Sequence, residues 1–212
     1  MIKIIVDILL FVLLIIEYSR VYMTPLLHEI IGSLLLIVII THLILNRNYL
    51  KNIFKGKYNA SRIVLLLVNV LLFLCIFSTI IFGILISQYL FTFIGKYNMT
   101  ISKLHIMTSY FGLLVMGAHL GLNLNQMLIK MKFLKNKIVA IVLHLLIYIY
   151  GIISINKTDF FSYLLGEKTF FLKDTSLLIN FLRFSSISLL ITLIVFDINL
   201  IIRKIKANKK ER

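Results

Sequence analysis

The chain has 212 residues, is 60% hydrophobic and carries a formal net charge of +15, with a mean hydropathy of +1.02. A soluble domain of this size does not hold so many long apolar runs, so the composition is that of a polytopic membrane protein. Its basic residues sit in loops and at the C-terminus beside those runs, which excludes nucleic-acid binding and points to membrane orientation and anionic-lipid contact.

The apolar runs do not alternate in character as barrel strands would, and the single proline and the lack of a Gly/Ser/Pro-rich linker leave one domain over 1–212. The fold class expected is all-α, a bundle of six transmembrane helices with a four-helix core. The first span covers about 2–21. It contains Asp7 and Glu17 near opposite ends and no small-residue cleavage site follows it, so it reads as a retained helix whose acids reach the interface. The second covers about 25–45, with Thr24 as N-cap and Pro25 at the first helical position. His28 lies one turn inside this helix and His42 about one turn from its end.

The third span, about 63–90, holds Asn69 and Cys75 but no histidine. The fourth, about 101–123, holds His105 and His119 together with Ser109, Gly112, Gly117, Ala118 and Gly121, small residues that let a neighbouring helix or a flat ligand approach. The fifth, about 138–155, carries His144. The segment 156–175 has no net charge, and Phe160 to Leu165 within it reads as an element lying on the bilayer surface. The sixth span, about 176–202, leads into a basic tail. The loop after span two, the loop holding Lys130, Lys132, Lys135 and Lys137, the tail and Lys3 together carry sixteen of the 23 lysines and arginines. The positive-inside rule makes them cytoplasmic, which six spans in the cytoplasmic membrane with both termini inside satisfy.

Four of the five histidines form a repeat. Leu27-His28 to His42-Leu43 and Leu104-His105 to His119-Leu120 have the same fourteen-residue separation, and the copies are offset by seventy-seven. Fourteen residues place two side chains within roughly 40° on one helix face and about 21 Å apart along the axis. Spans two and four run in the same direction, so His28 pairs with His105 in the outer leaflet and His42 with His119 in the inner one. Interhelical packing needs no such common spacing. Axial ligation of two stacked haems does, because each iron takes one imidazole from each side. Zinc or copper would need three or four ligands gathered at one level. With one cysteine and no Cys-x-x-Cys-His, the expected cofactors are two non-covalent haem b groups.

Gly112, midway between His105 and His119, and Gly32, one turn before the midway Leu35 of the first pair, are candidate haem-facing residues, so the two copies are not identical. Arg20, Lys96 and Lys103 outside, and Arg47 and Arg62 inside, are candidate propionate partners, Arg62 first among them. His144 stays unassigned between a quinone pocket, a propionate contact and a bond to a carbonyl.

These histidine pairs resemble, in spacing, the cytochrome b of quinol-oxidising complexes. The chain is more similar to the small bacterial flavinylation-associated cytochrome family, through Phe54-Lys55-Gly56-Lys57-Tyr58, Gly83-Ile84-Leu85-Ile86-Ser87, Ser109-Tyr110-Phe111-Gly112, Ser162-Tyr163-Leu164-Leu165 and Phe170-Phe171. The resemblance implies membrane electron transfer to an extracytoplasmic protein carrying covalent flavin. The expected function is therefore a di-haem b-type cytochrome that carries electrons across the membrane, from a quinol such as menaquinol to that flavoprotein. Its partners are then quinone, membrane lipid and the flavoprotein. Alternatives are a ferric reductase-like cytochrome and a haem-free scaffold or transporter.

Overall fold

The computed structural model describes residues 2–128, 137–171 and 173–210. In these residues the chain is helical and without strands: α1 (Ile2–Glu17), a 3-10 turn (Arg20–Tyr22), α2 (Pro25–Leu45), α3 (Arg47–Asn52), α4 (Ala60–Leu85), α5 (Met99–Leu128), α6 (Lys137–Lys157), α7 (Phe160–Leu164) and α8 (Leu177–Lys210). The basic positions Lys130, Lys132, Lys135 and Arg212 lie outside the described residues.

Among the described residues five helices are long and apolar enough to cross a membrane, Pro25–Leu45, Ala60–Leu85, Met99–Leu124, Ile138–Lys157 and Leu177–Arg203. They correspond to the second to sixth expected spans. The first expected span differs, because its helix has 16 residues and stops at Glu17. At about 1.5 Å per residue it is about 24 Å long, short of a hydrocarbon core of about 30 Å. The end has a tertiary cause. Asn180 Nδ2 donates to the Tyr18 carbonyl (3.3 Å) and to Ser19 Oγ (3.1 Å), and the Tyr18 hydroxyl donates to the Ser109 carbonyl. The chain at this corner thus bonds to α5 and α8 in place of a further α-turn.

Other helix ends follow their sequence signals. Thr24 accepts from the Leu27 amide (3.2 Å) with Pro25 behind it, and Asn59 accepts from the Arg62 amide (2.9 Å) to start α4.

α5 is the axis of the bundle. It packs between α4 and α8, and α6 packs on the far side of α8. Two glycines make the α5–α8 approach possible. A Cβ at Gly117 would stand 2.8 Å from the Ile191 Cβ, and a Cβ at Gly121 would stand 2.9 Å from the Val195 Cβ. The small residues of span four thus serve helix contact at these two positions. The best-buried cluster gathers Ile15, Tyr18, Ile106, Tyr110, Leu113, Phe160, Tyr163, Phe184 and Ile187. Most leucines and isoleucines of α2, α4 and α6 face outward, as a lipid solvent allows.

α7 corrects one expectation. Phe160 and Tyr163 turn inward and pack on Tyr110 at centroid distances of 5.2 and 5.3 Å, while Phe161 stays exposed. The segment plugs one end of the bundle because its aromatics find a core there that hydropathy alone does not reveal. Beyond α7, Lys168 bonds Asp159 (2.6 Å), which holds its ammonium pKa above the usual range.

α2 is placed differently from the rest. It packs along α1 and touches α4 only lightly, and among the described residues it is not one of α5's packed neighbours. His28 and His105 meet in the space between α2 and α5.

Candidate functional site

At the end of the bundle that carries the N-terminus of α2, a cavity of about 570 Å³ opens between α2, α4 and α5. His28 and His105 face each other in its wall. Their ring centroids are 6.2 Å apart and their planes cross at 89°. Metal–imidazole bonds are about 2.0–2.1 Å, and a ring centroid lies about 1 Å behind its nitrogen, so one metal between two imidazoles separates their centroids by about 6 Å. The pair is thus spaced for a shared ion.

The ring nitrogens are sorted accordingly. The Nδ1–H of His105 donates to the Thr79 carbonyl (2.8 Å), which leaves Nε2 with its lone pair. Gly83 makes room for this ring, since a Cβ there would stand 3.1 Å from His105 Cε1. His28 Nδ1 lies 2.8 Å from Glu17 Oε2, at ion-pair distance but off the direction of a hydrogen bond. His28 Nδ1 and Glu17 Oε1 are both buried and unbonded. Orphaned polar atoms beside a cavity mark a site that the chain does not satisfy alone.

The second pair lies towards the other end of the same two helices. The Nδ1–H of His42 donates to Asp7 Oδ1 (2.8 Å), and that of His119 donates to Asn69 Oδ1 (2.7 Å). A carboxylate and an amide oxygen only accept, so both histidines again carry their proton on Nδ1. Asn46 Nδ2 stands at a long 3.4 Å from His42 Nε2. His42, His105 and His119 thus direct Nδ1 to an oxygen acceptor of the protein, the arrangement that orients imidazoles at metal centres, while His28 Nδ1 lies beside Glu17 without a hydrogen bond.

His144 is wired in the opposite sense. Its Nε2 bonds Asp197 Oδ2 (2.9 Å), which also accepts from the Tyr148 hydroxyl (3.0 Å). It does not join either pair.

The remaining sequence candidates occupy varied places. Gly32 lines the cavity. Gly112 faces α4, where a Cβ would stand 3.5 Å from that of Cys75. Arg62 stacks 4.2 Å over Tyr58 and donates to the carbonyls of Asn52 (2.7 Å) and Lys55 (2.6 Å) and, at longer range, of Lys57 and Ile53. It clamps the loop between α3 and α4, so a propionate would reach it only in exchange for these carbonyls. Arg20 is the cation that lines the cavity.

Sequence reasoning missed the oxygens behind the histidines. Asp7 and Glu17 were readable as interfacial acids, although their position at opposite ends of one apolar helix matches the two histidine levels. Asn69 carried no signal beyond being polar in a span. Glu29, adjacent to His28, has its own task. It accepts from the amides of Gln88 (2.7 Å), Tyr89 (3.2 Å) and Leu90 (2.8 Å) and from the Ser87 hydroxyl (2.8 Å), pinning the loop after α4 over the cavity.

The donor set fits a haem. Among the described residues no three His, Cys, Asp or Glu side chains gather as metal ligands. Paired imidazoles suit an iron whose other four ligands belong to a porphyrin. Comparison with protein-family models, curated proteins and solved structures finds no match for the chain.

Proposed function

We propose that this protein is an integral membrane di-haem b-type cytochrome that carries electrons across the cytoplasmic membrane. The observation that carries the reading is the His28–His105 pair: rings 6.2 Å apart and crossed at 89° beside a cavity of about 570 Å³, with the His105 Nδ1–H committed to a carbonyl. His28 and His105 would hold the outer haem, and His42 and His119 the inner one. The bound haems supply the one-electron chemistry, and the protein supplies ligands, orientation and an apolar sleeve.

In this reading α1 is the sixth, short membrane helix and both termini face the cytoplasm. Its acids back the imidazoles: Asp7 behind His42 and Glu17 behind His28 strengthen the ligands and favour ferric over ferrous iron. Glu29 and the loop it pins shield the outer centre. The donor is a membrane quinol and the acceptor an extracytoplasmic flavoprotein, as in the family the sequence resembles.

The test is an optical spectrum of protein produced with ample haem. A Soret band, with about two haems per chain in the wild type and about one in His119→Ala, is expected. A colourless wild-type protein would sink the proposal, and a His119→Ala variant that keeps both haems would refute the pairing.

A further inference from the structure

The fifth histidine lies on α6, beyond α8 from His119 on α5. His144 on α6 begins seven residues after Lys137, and Asp197 on α8 lies six residues before Arg203. At about 1.5 Å per residue both are about 10 Å inside the membrane helices. The nearby turn of α8, bearing Thr192 and Val195, is the one that meets Gly121 of α5. His119 therefore stands at a similar level, with its ring turned the other way, onto Asn69 of α4.

The arrangement of the three side chains is specific. The His144 Nε2–H donates to Asp197 Oδ2, the Tyr148 hydroxyl donates to the same oxygen, and the two rings stack at 5.1 Å and 15°. Asp197 Oδ2 accepts from both donors, and with the proton on Nε2 the imidazole presents its Nδ1 lone pair. His144 and Asp197 are 34% and 35% exposed, so the trio opens onto the lipid-facing surface. Exposed Ile141, Leu145, Ile194 and Ile198 flank it. Ionisable groups facing hydrocarbon are costly, and a link that only joined α6 to α8 would do so more cheaply inside the helix contact, as Ser154 and Ser186 do (3.0 Å).

We propose that His144, Asp197 and Tyr148 form the docking site of a lipid-soluble hydroquinone and that His144 Nδ1 takes its proton. The ligand class follows from the surroundings: a hydroxyl to donate to Nδ1, a flat ring to lie beside the His144–Tyr148 stack, and an apolar tail for the isoleucines. Oxidation of one hydroquinone breaks two O–H bonds and releases two protons and two electrons. The first proton passes to Nδ1, and Asp197 holds the resulting imidazolium. The second follows once the imidazole has lost its proton to the nearby aqueous face. A haem held by His42 and His119 would take the two electrons one at a time, passing the first on before the second arrives, and in this step alone the inference rests on the di-haem reading.

Two measurements on the full chain in lipid nanodiscs test it. In the first, a photoreactive azido-naphthoquinone with a short isoprenoid tail is crosslinked and the labelled peptides are mapped. Label on peptides spanning 141–148 and 194–201, competed by unlabelled quinone, is expected. Label elsewhere, or none, overturns the site. In the second, the haem is reduced by a short-tail naphthoquinol in stopped flow. General bases contribute about 10²–10⁴-fold, so His144→Gln should slow this reduction about a hundredfold while haem content and reduction by dithionite stay unchanged. An unchanged quinol rate overturns the role of His144. If His144→Gln does not assemble, Tyr148→Phe, which keeps the stack and loses one bond to Asp197, should slow the reaction several-fold, and an unchanged rate again overturns it. A colourless wild type still labelled on α6 and α8 would refute the haems and keep the quinone site.

Discussion

Removing Asn69 separates the two proposed centres. Asn69 Oδ1 accepts from His119 Nδ1–H at 2.7 Å, and its Nδ2 donates to the Tyr49 hydroxyl, also at 2.7 Å. Asn69→Leu keeps a similar volume and orphans the imidazole N–H in an apolar setting. An orphaned buried donor costs about 1–3 kcal/mol. Loss of such a partner behind a metal-bound histidine weakens binding about 10–100-fold, which is about 1.4–2.7 kcal/mol. The two routes agree, so the inner haem should bind about tenfold or more weakly. The outer haem, whose His105 is oriented by the Thr79 carbonyl, should be untouched. Haem titration followed by optical redox titration reads this directly, as selective loss of one component. Asn69→Asp retains an acceptor and should keep both haems, with the inner potential lowered by the added charge. Equal weakening of both components in Asn69→Leu, or of neither, would refute the assignment of Asn69 to one centre.

Glu29→Ala removes the acceptor for three backbone amides and the Ser87 hydroxyl, and bonds to a charged group are worth about 1.5–3 kcal/mol each when intact. Hydrogen exchange should accelerate at Gln88 to Leu90 at least tenfold while α5 stays protected; unchanged exchange there would show that the carboxylate does not hold the loop. Gly117→Leu drives a side chain into Ile191, and overpacking costs about 1–3 kcal/mol or more. Its melting temperature in detergent should fall by several degrees, with the same substitution at exposed Phe111 as the control. Arg62→Ala should free the α3–α4 loop to proteolysis near Lys55 and Lys57, with little change in haem content if the guanidinium serves its carbonyls only.

Much of the architecture was legible because it depends on one helix at a time. Apolar runs longer than a bilayer is thick and Thr24 before Pro25 each act locally. The same holds for the histidines, since fourteen residues bring two side chains nearly into line on any helix. The short α1 was less legible. Hydropathy continues past Glu17, but the helix stops where Asn180, far along the chain, takes the Tyr18 carbonyl. Phe160 and Tyr163 were misread for a similar reason, because an aromatic beside the membrane surface and one inside a bundle end have the same hydropathy.

By itself, then, the sequence determined that the protein is helical and membrane-embedded, and that four histidines recur at two levels on two helices. The tertiary structure decided which oxygen stands behind each imidazole: Glu17 and Asp7 on α1, the Thr79 carbonyl and Asn69 on α4. It also decided that His144 bonds through Nε2 where His42, His105 and His119 bond through Nδ1. Helical periodicity sets positions within a helix. The rotation and spacing of one helix against another come from side-chain packing among residues distant in the chain, and those determine which ring nitrogen is left to bind a ligand.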